Sequence, residues 1–265
     1  MCELFAVSSN RPVSLRYELR AFARHGGNDY RNRDGWGIAF VQERDAYLFK
    51  EPAAASESPL ERLVAQRAPP SRLVMAHVRF ATAGAPQLAN THPFRRERNG
   101  RVLNFAHNGT LAELKARHAG TEVAAQCIGD TDSELAFLLL LDRLRPLEPD
   151  GTAEQRFEVF GEFCAEMRAE GTANFLFADG ERLFIHSHKR RYQEGDGFSE
   201  PRAPGLHMRS LAAEEGDWAT NGANLTPPTE DRLLLASVPL DEGDWVGLDE
   251  GTVLLVEHGK VRCSA

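Results

Sequence analysis

The run Asp132-Ser133-Glu134-Leu135-Ala136-Phe137-Leu138-Leu139-Leu140-Leu141-Asp142-Arg143-Leu144 is the strongest structural signal in the chain. Leu135, Leu138 and Leu139 recur at helical spacing behind an early glutamate, which predicts a helix with a strongly apolar face. A helix this apolar needs a surface to bury against. Residues 153–170 form a second long amphipathic pattern, and short apolar runs bounded by turn residues lie on both sides of the pair. Ahead of it, residues 3–8, 35–41, 73–80 and 102–107 read as strands, with 47–50 as the hairpin partner of 35–41. Behind it, 174–178 and 182–186 fold about Asp179-Gly180, followed by strands at 233–237, 244–248 and 252–258. Shorter helices are expected at 15–23, entered from Ser14, at 59–67, and from Thr110 through Leu114. Residues 26–34, 191–199 and 212–216 read as loops. Strands, two long helices, then strands again predict an α+β fold with helices packed outside antiparallel sheets.

The chain has 265 residues, of which 42% are hydrophobic and 26% charged, as in ordinary globular proteins. One domain over residues 1–265 is expected. A net charge of −8 argues against nucleic acid or a membrane surface as partner. The longest apolar run, 135–141, is too short to span a bilayer, and no signal-peptide pattern opens the chain, so a cytoplasmic location is expected. Cys2, Cys127, Cys164 and Cys263 are scattered and form no CxxC pair, which supports neither a disulfide framework nor a zinc knuckle. Cys164, among Phe160, Phe163 and Met167, reads as core filler.

Cys2 follows Met1 directly. Methionine aminopeptidase removes an initiator methionine when the next residue is small, so a mature chain can begin with thiol and α-amine on one residue. A thiol attacks only as thiolate, and an α-amine, with a reference pKa near 7.7–8.0, can take its proton in place of a histidine. A cysteine beside a start codon also arises by chance.

Four patches downstream bear on that choice. Asn32-Arg33-Asp34-Gly35-Trp36-Gly37 brackets an aromatic with glycines, allowing close backbone approach or a tight turn. In His77-Val78-Arg79-Phe80-Ala81-Thr82-Ala83-Gly84, His77 and Arg79 project to one strand face, and the guanidinium needs an anionic partner, either a substrate carboxylate or a structural aspartate. In His107-Asn108-Gly109, an amide NH₂ beside a glycine N–H can aim two donors at one oxygen, as an oxyanion hole requires. Asn-Gly is also the commonest hairpin turn signal. Asp130-Thr131-Asp132-Ser133-Glu134 opens the long helix, with Thr131 or Asp132 as its cap and more acid than capping needs. A free α-amino acid with a side-chain carbonyl, such as glutamine, would engage nucleophile, oxyanion hole, carboxylate clamp and amine acceptor together.

With Met1-Cys2-Glu3-Leu4, Asn90-Thr91-His92-Pro93-Phe94, Ala236-Ser237-Val238-Pro239-Leu240 and Trp245, these motifs closely resemble the class II glutamine amidotransferases, in their compact single-domain branch. That family belongs to the N-terminal-nucleophile hydrolases, and the likeness in order and spacing covers nearly the whole chain. It implies an αββα sandwich, two antiparallel sheets face to face with helices on both outer faces. It implies Cys2 as nucleophile through a γ-glutamyl thioester, its own α-amine as base, and Asn108 with Gly109 as oxyanion hole. Arg79 would hold the substrate carboxylate, Asp132 its amine, and Thr82 and His92 would line the pocket, with Arg31 within reach. No cofactor or metal is implied. Glu3-Leu4-Phe5 is bulkier than the glycine-rich stretch many members carry, which alters the substrate-side loop rather than the chemistry.

The length beyond Glu134 is what the family fold itself uses, so no synthase domain is expected. Ammonia then passes to a separate acceptor subunit. The alternative is a hydrolase of a larger γ-glutamyl amide, like the compact-branch enzyme of ergothioneine biosynthesis. A binding module without activity is set against the intact Cys2, Arg79, Asn108, Gly109 and Asp132. A metal site on His77, His92 and His107 lacks zinc-ligand spacing.

Overall fold

The computed structural model describes residues 1–82, 84–180, 182–212 and 230–265. Beyond Ala212, the loop expected at 212–216 lies outside the described residues. In chain order the elements are β1 (Glu3–Val13), α1 (Arg16–His25), β2 (Trp36–Gln42), β3 (Asp45–Glu51), α2 (Pro59–Arg67), β4 (Ser71–Val78), β5 (Phe94–Arg98), β6 (Arg101–Leu111), α3 (Leu114–Arg117) and α4 (Asp132–Leu144). They continue with α5 (Ala153–Glu170), β7 (Gly171–Asp179), β8 (Arg182–His186), β9 (Gln193–Glu194), β10 (Gly197–Phe198), β11 (His207–Leu211), β12 (Arg232–Ala236), β13 (Val246–Gly247), β14 (Val253–Glu257) and β15 (Lys260–Ser264).

Three helices start on side-chain caps, of which Thr131 is one of the two the sequence offered. Ser58 Oγ accepts from Glu61 N ahead of α2, Thr131 Oγ1 accepts from Glu134 N at the head of α4, and Thr152 with Gln155 closes a reciprocal capping box on α5. Among the described residues, seven strands order as β13-β11-β12-β1-β4-β2-β3 and six as β15-β14-β8-β7-β6-β5. Their pairings are antiparallel.

Strand alternation sorts the side chains into three layers of core. Phe5, Val7, Val74 and Ala76 pack against Leu19 and Phe22 of α1 and Val64 of α2. Phe105, Phe175 and Phe177 pack against Phe137 of α4 and Phe160 and Phe163 of α5, with the Phe105 and Phe137 rings stacked at 5.1 Å. Between the sheets, Leu4, Ala6 and Met75 meet Ala106, Leu176 and Ile185. The result is a helix–sheet–sheet–helix sandwich. Burying each such Phe or Leu contributes about 1.5–3 kcal/mol, so the layers are held by apolar area.

The local differences from expectation have physical causes. Asn108-Gly109 is not a turn: β6 runs on to Leu111 because β7 pairs along its full length, Asn108 opposite Asn174 and Gly109 opposite Ala173. A Cβ on Gly109 would fall 1.9 Å from Thr172 O, so only glycine lets the strands meet there. Thr110 is therefore in the strand, its N–H donating to Thr172 Oγ1, and the helix expected from it begins at Leu114 without a side-chain cap. Helix α1 begins at Arg16, and Ser14 does not cap it. Residues 193–198 form the small β9–β10 hairpin inside the expected loop. β5 and β15 are charged edge strands, whose composition hides the alternation.

Candidate active site

β1 lies between β4 and β12 in the middle of its sheet, and its Leu4 and Ala6 face the layer between the two sheets. Cys2 Sγ sits against the backbone of one residue, donating to Phe80 O at 3.2 Å and accepting from Phe80 N at 3.3 Å. Burial pushes the Cys2 thiol up, while the Phe80 contact, the terminal amine and Arg79 pull the other way. Asp34 braces the segment that holds the sulfur. Arg79 N donates to Gly35 O at 2.7 Å, Asp34 N to Arg79 O at 3.0 Å, and Ala81 N to Asp34 Oδ2 at 2.7 Å.

Arg79 is buried, and its guanidinium donates to Gly84 O at 2.9 Å and Ala85 O at 3.1 Å. That loop is joined to the head of α4 by Asn90, which is fully buried. Asn90 Nδ2 donates to Ala85 O at 3.1 Å and its Oδ1 accepts from Asp130 N at 2.7 Å. Asp132 Oδ2 accepts from Leu111 N at 2.6 Å and Oδ1 from Ser133 N at 2.9 Å, while Thr131 alone caps the helix. Glu134, the other acid of this patch, is absorbed by Ile128 N, Gly129 N and Arg96.

Asn108 reaches between the sheets. Its Nδ2 donates to Ser237 Oγ at 3.1 Å, and Leu4 N donates to the same hydroxyl at 3.0 Å. Asn174 locks the β6 backbone at this point, donating to Asn108 O and Lys189 O at 2.8 Å each. The site residues are thus tied in a chain: Arg79 and Cys2 flank the Phe80 peptide, Asn108 meets β1 through Ser237, and Asp132 holds Leu111, two residues beyond Gly109.

The histidines lie beneath. His77 and His92 stack with centroids 4.2 Å apart, and His92 packs on Phe94 at 4.4 Å. Among the described residues their ring nitrogens have no hydrogen-bond partner. Burial, then the nearby Arg79 and His107, lowers His77 to about 3 and takes His92 well below its usual value, so both rings stay neutral. A Cβ on Gly37 would fall 2.1 Å from His92 O, so glycine in β2 lets this backbone cross the sheet closely. His107 turns away, with Nδ1 2.9 Å from Ser133 Oγ and Nε2 3.0 Å from Thr172 O. Among the described residues no three His, Cys, Asp or Glu side chains converge as a metal site. Thr82 is exposed on its loop, and Arg31 pairs with Asp196 at 2.9 Å on the β9–β10 turn.

The terminal amine belongs to Met1, and burial lowers it to about 6, with Arg190 acting in the same direction. Several residues at this end had no role assigned from sequence. Glu3 is 1% exposed, facing His25 Nδ1 at 2.7 Å and Asn32 Nδ2 at 3.3 Å. Arg190 donates to Ser237 O at 2.8 Å, and Phe80 packs on Phe198 with centroids 5.3 Å apart. An acid at position 3 of an otherwise apolar strand was the available signal for Glu3. Ser237 lies inside the motif at 236–240 with no role of its own read there, and nothing local marks Arg190.

A family model for the class-II glutamine amidotransferases matches residues 1–265. The chain belongs to this family. The Escherichia coli protein described as "Putative glutamine amidotransferase YafJ" is 36% identical over 188 residues, 70% of this chain and 72% of its own length. A crystal structure from Pseudomonas aeruginosa described as a "predicted glutamine amidotransferase" is 29% identical, covers 99% of this chain and 100% of its own, and superposes with a TM-score of 0.68. The glutamine phosphoribosylpyrophosphate amidotransferase of Bacillus subtilis, at 15% identity, shares the fold: the match covers 100% of this chain and 49% of that one, with a TM-score of 0.61. Among the described residues no helix is long and apolar enough to cross a membrane.

Proposed function

We propose that the chain hydrolyses the side-chain amide of glutamine through a thioester on Cys2, once Met1 has been removed. The freed α-amine of Cys2 takes the thiol proton, and Sγ attacks the γ-carbonyl carbon. Asn108 Nδ2 and the Gly109 N–H donate to the oxyanion, Arg79 holds the substrate carboxylate and Asp132 its ammonium. The amine returns its proton to the leaving nitrogen, the C–N bond breaks, and water then cleaves the thioester to glutamate. Thr82 and His92 support the pocket, one at its rim and one in its floor. The ammonia leaves for water or for an acceptor on a separate subunit.

The observation that carries this reading is the joining of Cys2 to Arg79 through the Phe80 peptide and of Asn108 to β1 through Ser237. Membership of the class-II family supports it independently. The test is glutamate release from glutamine by the processed protein and by Cys2→Ala, with N-terminal sequencing of both. Equal release by the two would overturn the assignment. A larger γ-glutamyl amide as substrate is favoured by one feature, the cavity beside Met1.

A further inference from the structure

We propose that the cavity beside Met1 is a leaving-group subsite in which Arg190 selects an amine bearing a carboxylate, so that a γ-glutamyl amino acid is a preferred substrate. The proposal rests on the Cys2 reading above and refines its substrate.

The reaction itself locates the leaving group. The α-amine of Cys2 must return a proton to the departing nitrogen, so that nitrogen lies within hydrogen-bond reach of the amine. In this chain the same nitrogen carries Met1, and Met1 lines a cavity of about 190 Å³. Removal of Met1 leaves the cavity facing the amine. Its size is several times the ~30 Å³ that one water, or an ammonia of similar size, occupies in the liquid. Ammonia alone has no use for that space.

Its walls include Glu3, Tyr30, Arg190, Tyr192 and His207. Arg190 is 3% exposed and held on three sides: Nη1 donates to Ser237 O at 2.8 Å, Nη2 lies 3.8 Å from Glu3 Oε1, and the guanidinium carbon stands 5.1 Å from the Tyr192 ring centroid. Among the described residues its buried Nε has no hydrogen-bond partner. Glu3, the acid on this wall, already faces His25 at 2.7 Å and Asn32 at 3.3 Å. A buried guanidinium N–H without an acceptor is costly. A carboxylate satisfies it with a charge-assisted bond. An amino acid in amide linkage carries its carboxylate one carbon from the amide nitrogen, which joins the two requirements in one small molecule.

The chemistry balances without a further reagent. Cys2 Sγ bonds to the γ-carbon, the C–N bond breaks, and the amino acid leaves with the proton held by the α-amine. Water then cleaves the thioester, giving glutamate and the free amino acid.

The test compares kcat/KM of the processed protein for γ-glutamylglycine and γ-glutamylglycinamide, which differ in the carboxylate, with glutamine alongside. γ-Glutamylglycine should lead the amide by roughly 10- to 100-fold, the size of one charge-assisted contact. Arg190→Gln should bring that ratio towards one, and Arg190→Lys should keep part of it. Because each ratio is taken within one preparation, partial loss of fold cancels. A wild-type ratio of one or less, or an unchanged ratio in Arg190→Gln, overturns the proposal. Hydrolysis of glutamine with both dipeptides inert also overturns it and leaves the Cys2 reading standing. No glutamate from any of the three overturns the Cys2 reading, and this proposal with it.

Discussion

Asn108 donates its side-chain amide to Ser237 Oγ at 3.1 Å across the space between the two sheets. Leu4 N donates to the same hydroxyl, so one oxygen sets where Asn108 stands relative to the strand that carries Cys2.

Replacing that oxygen tests the arrangement. Ser237→Ala strands a buried amide N–H on each sheet, which costs about 1–3 kcal/mol for each unsatisfied group. Thermal unfolding should show the loss, and kcat should fall while KM for glutamine changes less, because Asn108 acts on the transition state. A variant with full kcat would separate Ser237 from the site.

Asn90 makes a different prediction, on substrate binding. It joins the Arg79 loop to the head of α4 through Ala85 O and Asp130 N. Arg79 and Asp132 are proposed to hold the two ends of the substrate's α-amino acid group, and their separation depends on this tie. Asn90→Ala should therefore raise KM by roughly tenfold, the worth of one well-placed contact, with a smaller effect on kcat. Steady-state kinetics decide it, and an unchanged KM would count against the pairing of these two residues.

Stability should fall on acidification, and the sign follows from the buried histidines. Burial lowers His77 and His186 from 6.5 to about 3. Between those values the unfolded chain binds protons that the folded chain refuses, so their contribution is full above pH 6.5 and is lost as pH falls towards 3. Each ring adds a slope of up to about 1.4 kcal/mol per pH unit in that window. Urea unfolding near neutrality and near pH 4.5 measures it. His77→Gln should flatten the decline, and parallel curves for the two proteins would rule out His77 as a source.

Much of this architecture was legible because its signals are local. The apolar spacing of Leu135, Leu138 and Leu139 and a cap at Thr131 or Asp132 announced α4, which begins at Asp132 on the Thr131 cap. The Asn108-Gly109 step misled for a physical reason. Its two residues suit a turn, but the pairing partner that keeps them extended, β7, lies more than sixty residues away by the register Asn108–Asn174. The roles of Ser237 and Arg190 were hidden for the same reason: a buried serine or arginine acquires meaning only from what folds against it. Glu134 shows the converse, an acid that looked available and is consumed by the loop before its own helix.

The central position of β1 has a consequence in time. Its neighbour β4 is complete at Val78, but β12, on its other side, is not made until Ala236 of 265 residues. At ribosomal rates of about 5–20 residues per second, β1 waits on the order of tens of seconds with one edge open. When β12 docks, the second edge of β1 is paired. On the proposed chemistry, the strand that carries the nucleophile is thus among the first made and among the last to be fully paired.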